Sequence, residues 1–133
     1  MKKFLILFVC VGALIGCQHT RDGKNCSYYR EKAETPLYFE FGTADILDES
    51  KESLEAAVVY LNLHKFRSVQ LDGYTDEKGS VKFNDTLSRK RAEKVRDYML
   101  TRGIEEKRIS IKWHGIEKGM PHELKRRVDV SFK

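Results

Sequence analysis

The residues best placed to do chemistry lie in one stretch. It reads Gly73-Tyr74-Thr75-Asp76-Glu77-Lys78-Gly79-Ser80, then Asn84, Leu87-Ser88 and Arg91-Ala92. Asp76 can accept hydrogen bonds from an ammonium group. Arg91 offers a planar, bidentate fork that suits a carboxylate. The first amides of a helix starting here would favour an anionic group, and Thr75 and Asn84 add neutral hydrogen-bonding groups. On residue types alone, an Asp and an Arg in one small domain more often form a fold-stabilising ion pair. Ser88 reads better as a cap or first-turn serine than as a ligand contact.

Catalysis requires a constellation that is not legible here. His64, His114 and His122 are scattered, and none stands in an H-E-x-x-H or H-x-x-x-D arrangement. Ser80 and Ser88 lack an identifiable base. Cys17, His19 and Cys26 match no common zinc spacing. The expectation is a binding protein, not an enzyme, with no metal and no cofactor.

The elements that must hold this stretch are readable from periodicity. Leu37, Phe39 and Phe41 alternate with polar neighbours and predict a half-buried strand. Leu47, Leu54, Ala57, Val58 and Leu61 recur at helical spacing, with Asp48 and Glu49 suited to the first turn. Val69-Gln70-Leu71 predicts a second strand ending at Gly73. A second helix is expected from about Asn84 or Leu87 to Arg102, with Ala92, Val95 and Met99 on its apolar face and Gly103 as its stop. Ile109, Ile111 and Trp113 predict a third strand, and Val128, Val130 and Phe132 a fourth. The order β-α-β-α-β-β points to an α/β sandwich, two helices packed on one mixed sheet.

The N-terminus reads as a secretion signal over residues 1–16. Lys2 and Lys3 precede Phe4 to Ile15, twelve residues without a charge. That run is short of the roughly 20 apolar residues a bilayer span needs and fits a signal core. It ends in Leu14-Ile15-Gly16-Cys17, which resembles a bacterial lipobox, implying cleavage before Cys17 and lipidation of its thiol. Gln18 in place of Asp then implies export to the outer membrane. Residues 17–35 read as the lipidated cysteine and a polar tether, and 36–133 as one folded domain. Cys26 is left as a thiol in a compartment that permits disulfides.

The stretch opening this section closely resembles the OmpA-like peptidoglycan-binding domain family, which carries G-[HY]-T-D-x-x-G-S and then N-x-x-L-S-x-x-R-A. Phe39-x-Phe41-Gly42-Thr43-Ala44-x-x-Leu47 resembles the family's first strand and turn, and Arg126-Arg127-Val128-Asp129-Val130 its closing strand. The resemblance covers about Leu37 to Phe132. It implies an OmpA C-terminal-like fold and non-covalent binding of peptidoglycan, with Asp76 and Arg91 clasping diaminopimelic acid of the stem peptide. The chemistry is compatible, because the free end of diaminopimelate carries an ammonium and a carboxylate on one carbon. Arg127, or its neighbour Arg126, is the other arginine that the resemblance brings near the ligand. The segment Gly115 to Lys125 is shorter than the family's usual loop, which puts loop contacts in question.

The expected partners are therefore peptidoglycan, the outer membrane through the lipid anchor with the domain facing the periplasm, and envelope proteins if the domain stations a larger machine. The net charge is +5, and without Lys2 and Lys3 the 25 basic residues become 23 against 20 acidic ones. Export argues against nucleic acid as a partner. The run Ser88-Arg89-Lys90-Arg91 with Lys94 and Arg96 reads as a solvated helix face, Arg91 excepted.

Overall fold

The computed structural model describes residues 23–133; the signal segment, Cys17 and the start of the tether lie outside them. The elements are α1 (Cys26–Ala33), β1 (Leu37–Tyr38), α2 (Asp48–Leu63), β2 (Val69–Thr75), α3 (Val81–Thr101), a 3-10 turn (Glu106–Arg108), β3 (Ile109–Ile116), α4 (His122–Lys125) and β4 (Arg127–Phe132). The sheet order is β1-β4-β2-β3. β2 runs parallel to β3 and antiparallel to β4, and β4 runs antiparallel to β1. This is the expected mixed sheet with its two long helices.

Alternation decides which face the helices cover. On β2, Val69, Leu71, Gly73 and Thr75 are buried, while Gln70, Asp72 and Tyr74 are partly exposed. On β4, Val128 and Val130 share the buried side. These side chains pack with Leu54, Ala57 and Leu61 of α2 and Ala92, Val95 and Met99 of α3 into one core. Truncating a buried leucine such as Leu71 would cost about 2–5 kcal/mol.

One glycine sets how closely α3 approaches the sheet. A Cβ built on Gly73 would stand 2.1 Å from the Ser88 carbonyl oxygen. Only glycine lets the α3 backbone lie so near the end of β2, and that contact carries Asn84 and Arg91 to the strand's C-terminal end.

Three expectations shift. Residues 26–33, read as tether, form α1, which lies on α2 with Cys26, Tyr29 and Ala33 buried. Asn25 caps it, accepting from the Tyr28 amide at 3.0 Å. The helix escapes notice because its apolar side is only three residues wide among charges.

The second long helix starts earlier than expected, at Val81, because Ser80 is its cap and accepts from the Phe83 amide at 3.1 Å. Ser88 lies inside the helix. It donates to the Asp85 carbonyl and accepts from the Gly115 amide.

The first strand is shorter than its alternation suggests. Leu37 and Phe39 are buried, but Phe41 is 56% exposed, because the chain turns at Gly42 with φ +68°.

Candidate functional site

The site forms where β2 ends and β4 begins. The two strands are antiparallel neighbours, with Gly73 opposite Val128. Continuing β2 past Thr75 delivers Asp76 to the same edge as Arg126, the residue preceding β4. Asp76 is buried. Its Oδ1 accepts from the Lys78 amide at 3.2 Å, and its Oδ2 lies 3.3 Å from Arg126 Nη1. The loop is closed from below by Asn84, whose Nδ2 donates to the Lys78 carbonyl at 3.1 Å. Gly79, with φ +100°, makes the turn into the Ser80 cap.

Arg91 is fully buried and is occupied by the backbone. Nε donates to the Thr43 carbonyl, Nη1 to the Tyr74 carbonyl and Nη2 to the Glu40 carbonyl, at 2.9 to 3.0 Å. One guanidinium thus ties the β1–α2 loop to the end of β2 from a seat on α3. Burial lowers its pKa to about 10, against the pull of the Asp76 charge, which raises it, and the Arg126 charge adds to the lowering. It stays cationic at neutral pH. Three of its five N–H groups are taken, leaving two.

Among the described residues, two buried side-chain polar atoms have no hydrogen-bond partner: Thr75 Oγ1 and Arg126 Nε. Such orphans cost free energy unless something else satisfies them, and both flank Asp76 in the structure or the chain. Phe41 stands near the same edge, with Lys78 Nζ 5.1 Å and the Arg126 guanidinium 6.0 Å from its ring centre. A neighbouring cleft of about 220 Å³, which none of Asp76, Arg126 and Thr75 lines, lies between the Gly42–Ala44 turn and α3, lined also by Phe83, Thr86, Leu87 and Lys90. The site therefore offers a buried anion, two cations, unsatisfied hydrogen-bonding atoms and an apolar wall.

Arg127 is elsewhere. Alternation turns it to the face away from the two long helices, where it makes a bidentate pair with Asp129 at 2.8 and 3.1 Å and donates to the Leu124 carbonyl in α4. Its guanidinium lies 4.4 Å from the Tyr74 ring centre. Burial alone would lower its pKa, but Asp129 outweighs that and raises it. Of the two neighbouring arginines, the structure thus sets Arg126 beside Asp76 and Arg127 beside Asp129.

The shortened segment before β4 also reaches the site. α4 sets Lys125, itself buried, against Glu77. Hydrogen bonding to Lys125 holds the Glu77 carboxyl below its usual range. A short loop thus takes part in closing the Asp76–Glu77 corner.

Known proteins share this sequence pattern and this fold. A sequence model of the OmpA family matches residues 38–127. A peptidoglycan-associated lipoprotein of Haemophilus influenzae is 30% identical over 103 residues, covering 77% of this chain and 67% of that protein. One from Pasteurella multocida is 32% identical, covering 62% of this chain and 55% of its own length. The chain thus spans between about half and two thirds of these relatives. The crystal structure of the peptidoglycan-associated lipoprotein from Burkholderia pseudomallei superposes with a TM-score of 0.69 at 29% identity, covering 76% of this chain and 92% of that one. The C-terminal domain of Helicobacter pylori MotB shares the fold, with a TM-score of 0.63 at 20% identity. Motif, topology and relatives agree, and the chain belongs to the OmpA family.

Proposed function

We propose that this chain is an outer-membrane lipoprotein that holds the cell wall by gripping the free end of diaminopimelate in the peptidoglycan stem, without covalent chemistry. The observation that carries this reading is the buried Asp76–Arg126 pair with two unsatisfied polar atoms around it. An anion and a cation with unused hydrogen-bonding capacity form a negative image of a zwitterion. The ligand ammonium would replace the arginine on Asp76. The ligand carboxylate would take Arg126, whose Nε has no other partner.

Arg91 then acts from behind. Its two remaining N–H groups and its charge favour the carboxylate, while its three carbonyl bonds keep the loop and strand in place. Thr75 Oγ1 would donate to the ligand, and Asn84 would hold the loop that shapes the pocket. The names of the relatives at about 30% identity support a peptidoglycan ligand. The lipobox-like Leu14-Ile15-Gly16-Cys17 supports an acylated Cys17 after removal of residues 1–16, with the domain in the periplasm.

The test is a calorimetric titration with meso-diaminopimelate. Binding by the wild type and its loss in Asp76→Asn, with an unchanged melting curve, is the expected result. No heat with the wild type would remove diaminopimelate as the ligand.

A further inference from the structure

The end of the domain opposite the site presents a fixed apolar wedge. Phe66, in the α2–β2 loop, is fully exposed, and Leu63 beside it is 41% exposed. A loose loop could show such residues by accident, but this loop is braced. The Arg67 amide bonds to the His64 carbonyl at 3.0 Å. Arg108, almost wholly buried, donates to the carbonyls of Leu61, His64 and Arg67, each at 2.8 Å. A buried guanidinium thus holds the loop in one shape, and that shape carries a phenylalanine into solvent. Lys65 and Arg67 flank it, and both are exposed. Lys107 is exposed nearby but is offset by Glu105, at 2.6 Å.

The entering chain reaches this same end. The Cys26 thiol at the start of α1 contacts the His64 ring. Cys26 stands nine positions after Cys17, a stretch that spans at most about 32 Å when extended. The site lies the other way. β2 begins at Val69, just after the wedge, and ends at Thr75 beside Asp76, a rise of roughly 20 Å.

We propose that the Leu63–Arg67 loop docks on the anionic phospholipid surface to which the chain is anchored, Phe66 entering the headgroup layer and Lys65 and Arg67 meeting phosphates. The domain would then stand on the membrane with its wall-binding end outward. A single aromatic and two basic residues bind lipid weakly alone. A tether supplies the effective concentration that makes weak contact sufficient. This inference rests on the acylated Cys17 of the proposed function.

The chain has one tryptophan, Trp113, which pairs in register with Gly73 toward the site end. The acylated mature chain, residues 17–133, is reconstituted into vesicles of phosphatidylethanolamine and phosphatidylglycerol with brominated acyl chains. Wild type is compared with a Phe66→Trp, Trp113→Phe double variant of matching melting temperature. The expected result is that bromine quenches the tryptophan at 66 by about half or more, leaves Trp113 nearly unquenched, and quenches position 66 less when phosphatidylcholine replaces the anionic lipid. Floating protein with no more quenching at 66 than at 113 overturns the docking alone. Quenching that ignores lipid charge overturns the role given to Lys65 and Arg67. A chain that does not float with vesicles overturns the anchor and the docking together.

Discussion

Asp76 and Arg126 face each other at 3.3 Å across the junction where β2 ends and β4 begins, and each retains hydrogen-bonding capacity that the other does not use. The pair is compact because antiparallel neighbours bring the end of one strand to the start of the other. It is also incomplete, with Arg126 Nε unsatisfied. An ion pair made only for stability would be expected to close fully, since an unsatisfied buried donor costs about 1–3 kcal/mol. Incompleteness is what a receptor for a zwitterion requires.

Arg126 should therefore control selectivity. Diaminopimelate and lysine both present an ammonium, but only diaminopimelate adds the carboxylate at that end. Arg126→Ala should weaken diaminopimelate binding roughly 10- to 100-fold, the worth of a charge-assisted hydrogen bond, and leave side-chain binding of an Nα-blocked lysine peptide unchanged or stronger. Calorimetry on both ligands measures the ratio. A ratio unchanged from wild type would assign the carboxylate to Arg91 alone.

Arg91 should behave as a structural residue first. Arg91→Met removes the donor from the carbonyls of Glu40, Thr43 and Tyr74, and loss of such a buried partner costs about 3–5 kcal/mol. Urea denaturation should show the midpoint falling accordingly. A variant with wild-type stability and no binding would make Arg91 a ligand contact and nothing more.

The open face of the sheet carries an acid-sensitive contact. Asp72 Oδ1 lies 2.7 Å from His114 Nε2, and the His114 ring stacks on Tyr74 at 4.7 Å. Burial alone would raise the Asp72 pKa, but the hydrogen bonds from His114 and Gln70 outweigh it, and it falls below the usual 3.8. A depressed carboxyl contributes stability above its unfolded pKa and loses it as pH falls through the folded value. Between neutral pH and about 5 the contribution should be flat, and it should fade below about 4. Asp72→Asn should flatten that acid limb in melting temperatures measured from pH 7 to pH 3. An identical limb would remove Asp72 from the account.

Much of this was legible in the sequence, for physical reasons. Strand alternation and helical periodicity mark the two long helices and the sheet because those elements bury one face. The fixed spacing from Gly73 to Ala92 reflects the turn into α3 and the close approach at Gly73. The partners of Arg91 were not legible, because they are backbone carbonyls distant in the chain and any residue can supply one. α1 was hidden because Cys26, Tyr29 and Ala33 give too narrow a stripe. The Arg126–Arg127 choice carried a usable signal. Val128 and Val130 fix the phase of β4, and a one-residue step reverses the face, so Arg126 belongs with the core side and Arg127 with the open side.

The central claim is tested most directly by sedimentation with purified sacculi. The full mature chain is pelleted with diaminopimelate-type walls and, in parallel, with lysine-type walls, beside Asp76→Asn and Arg126→Ala variants of unchanged melting temperature. The account predicts that wild type pellets with diaminopimelate-type walls and largely stays soluble with the lysine type, while both variants remain in the supernatant. Wild type that stays soluble with diaminopimelate-type walls, or folded variants that pellet as well as wild type, would contradict it.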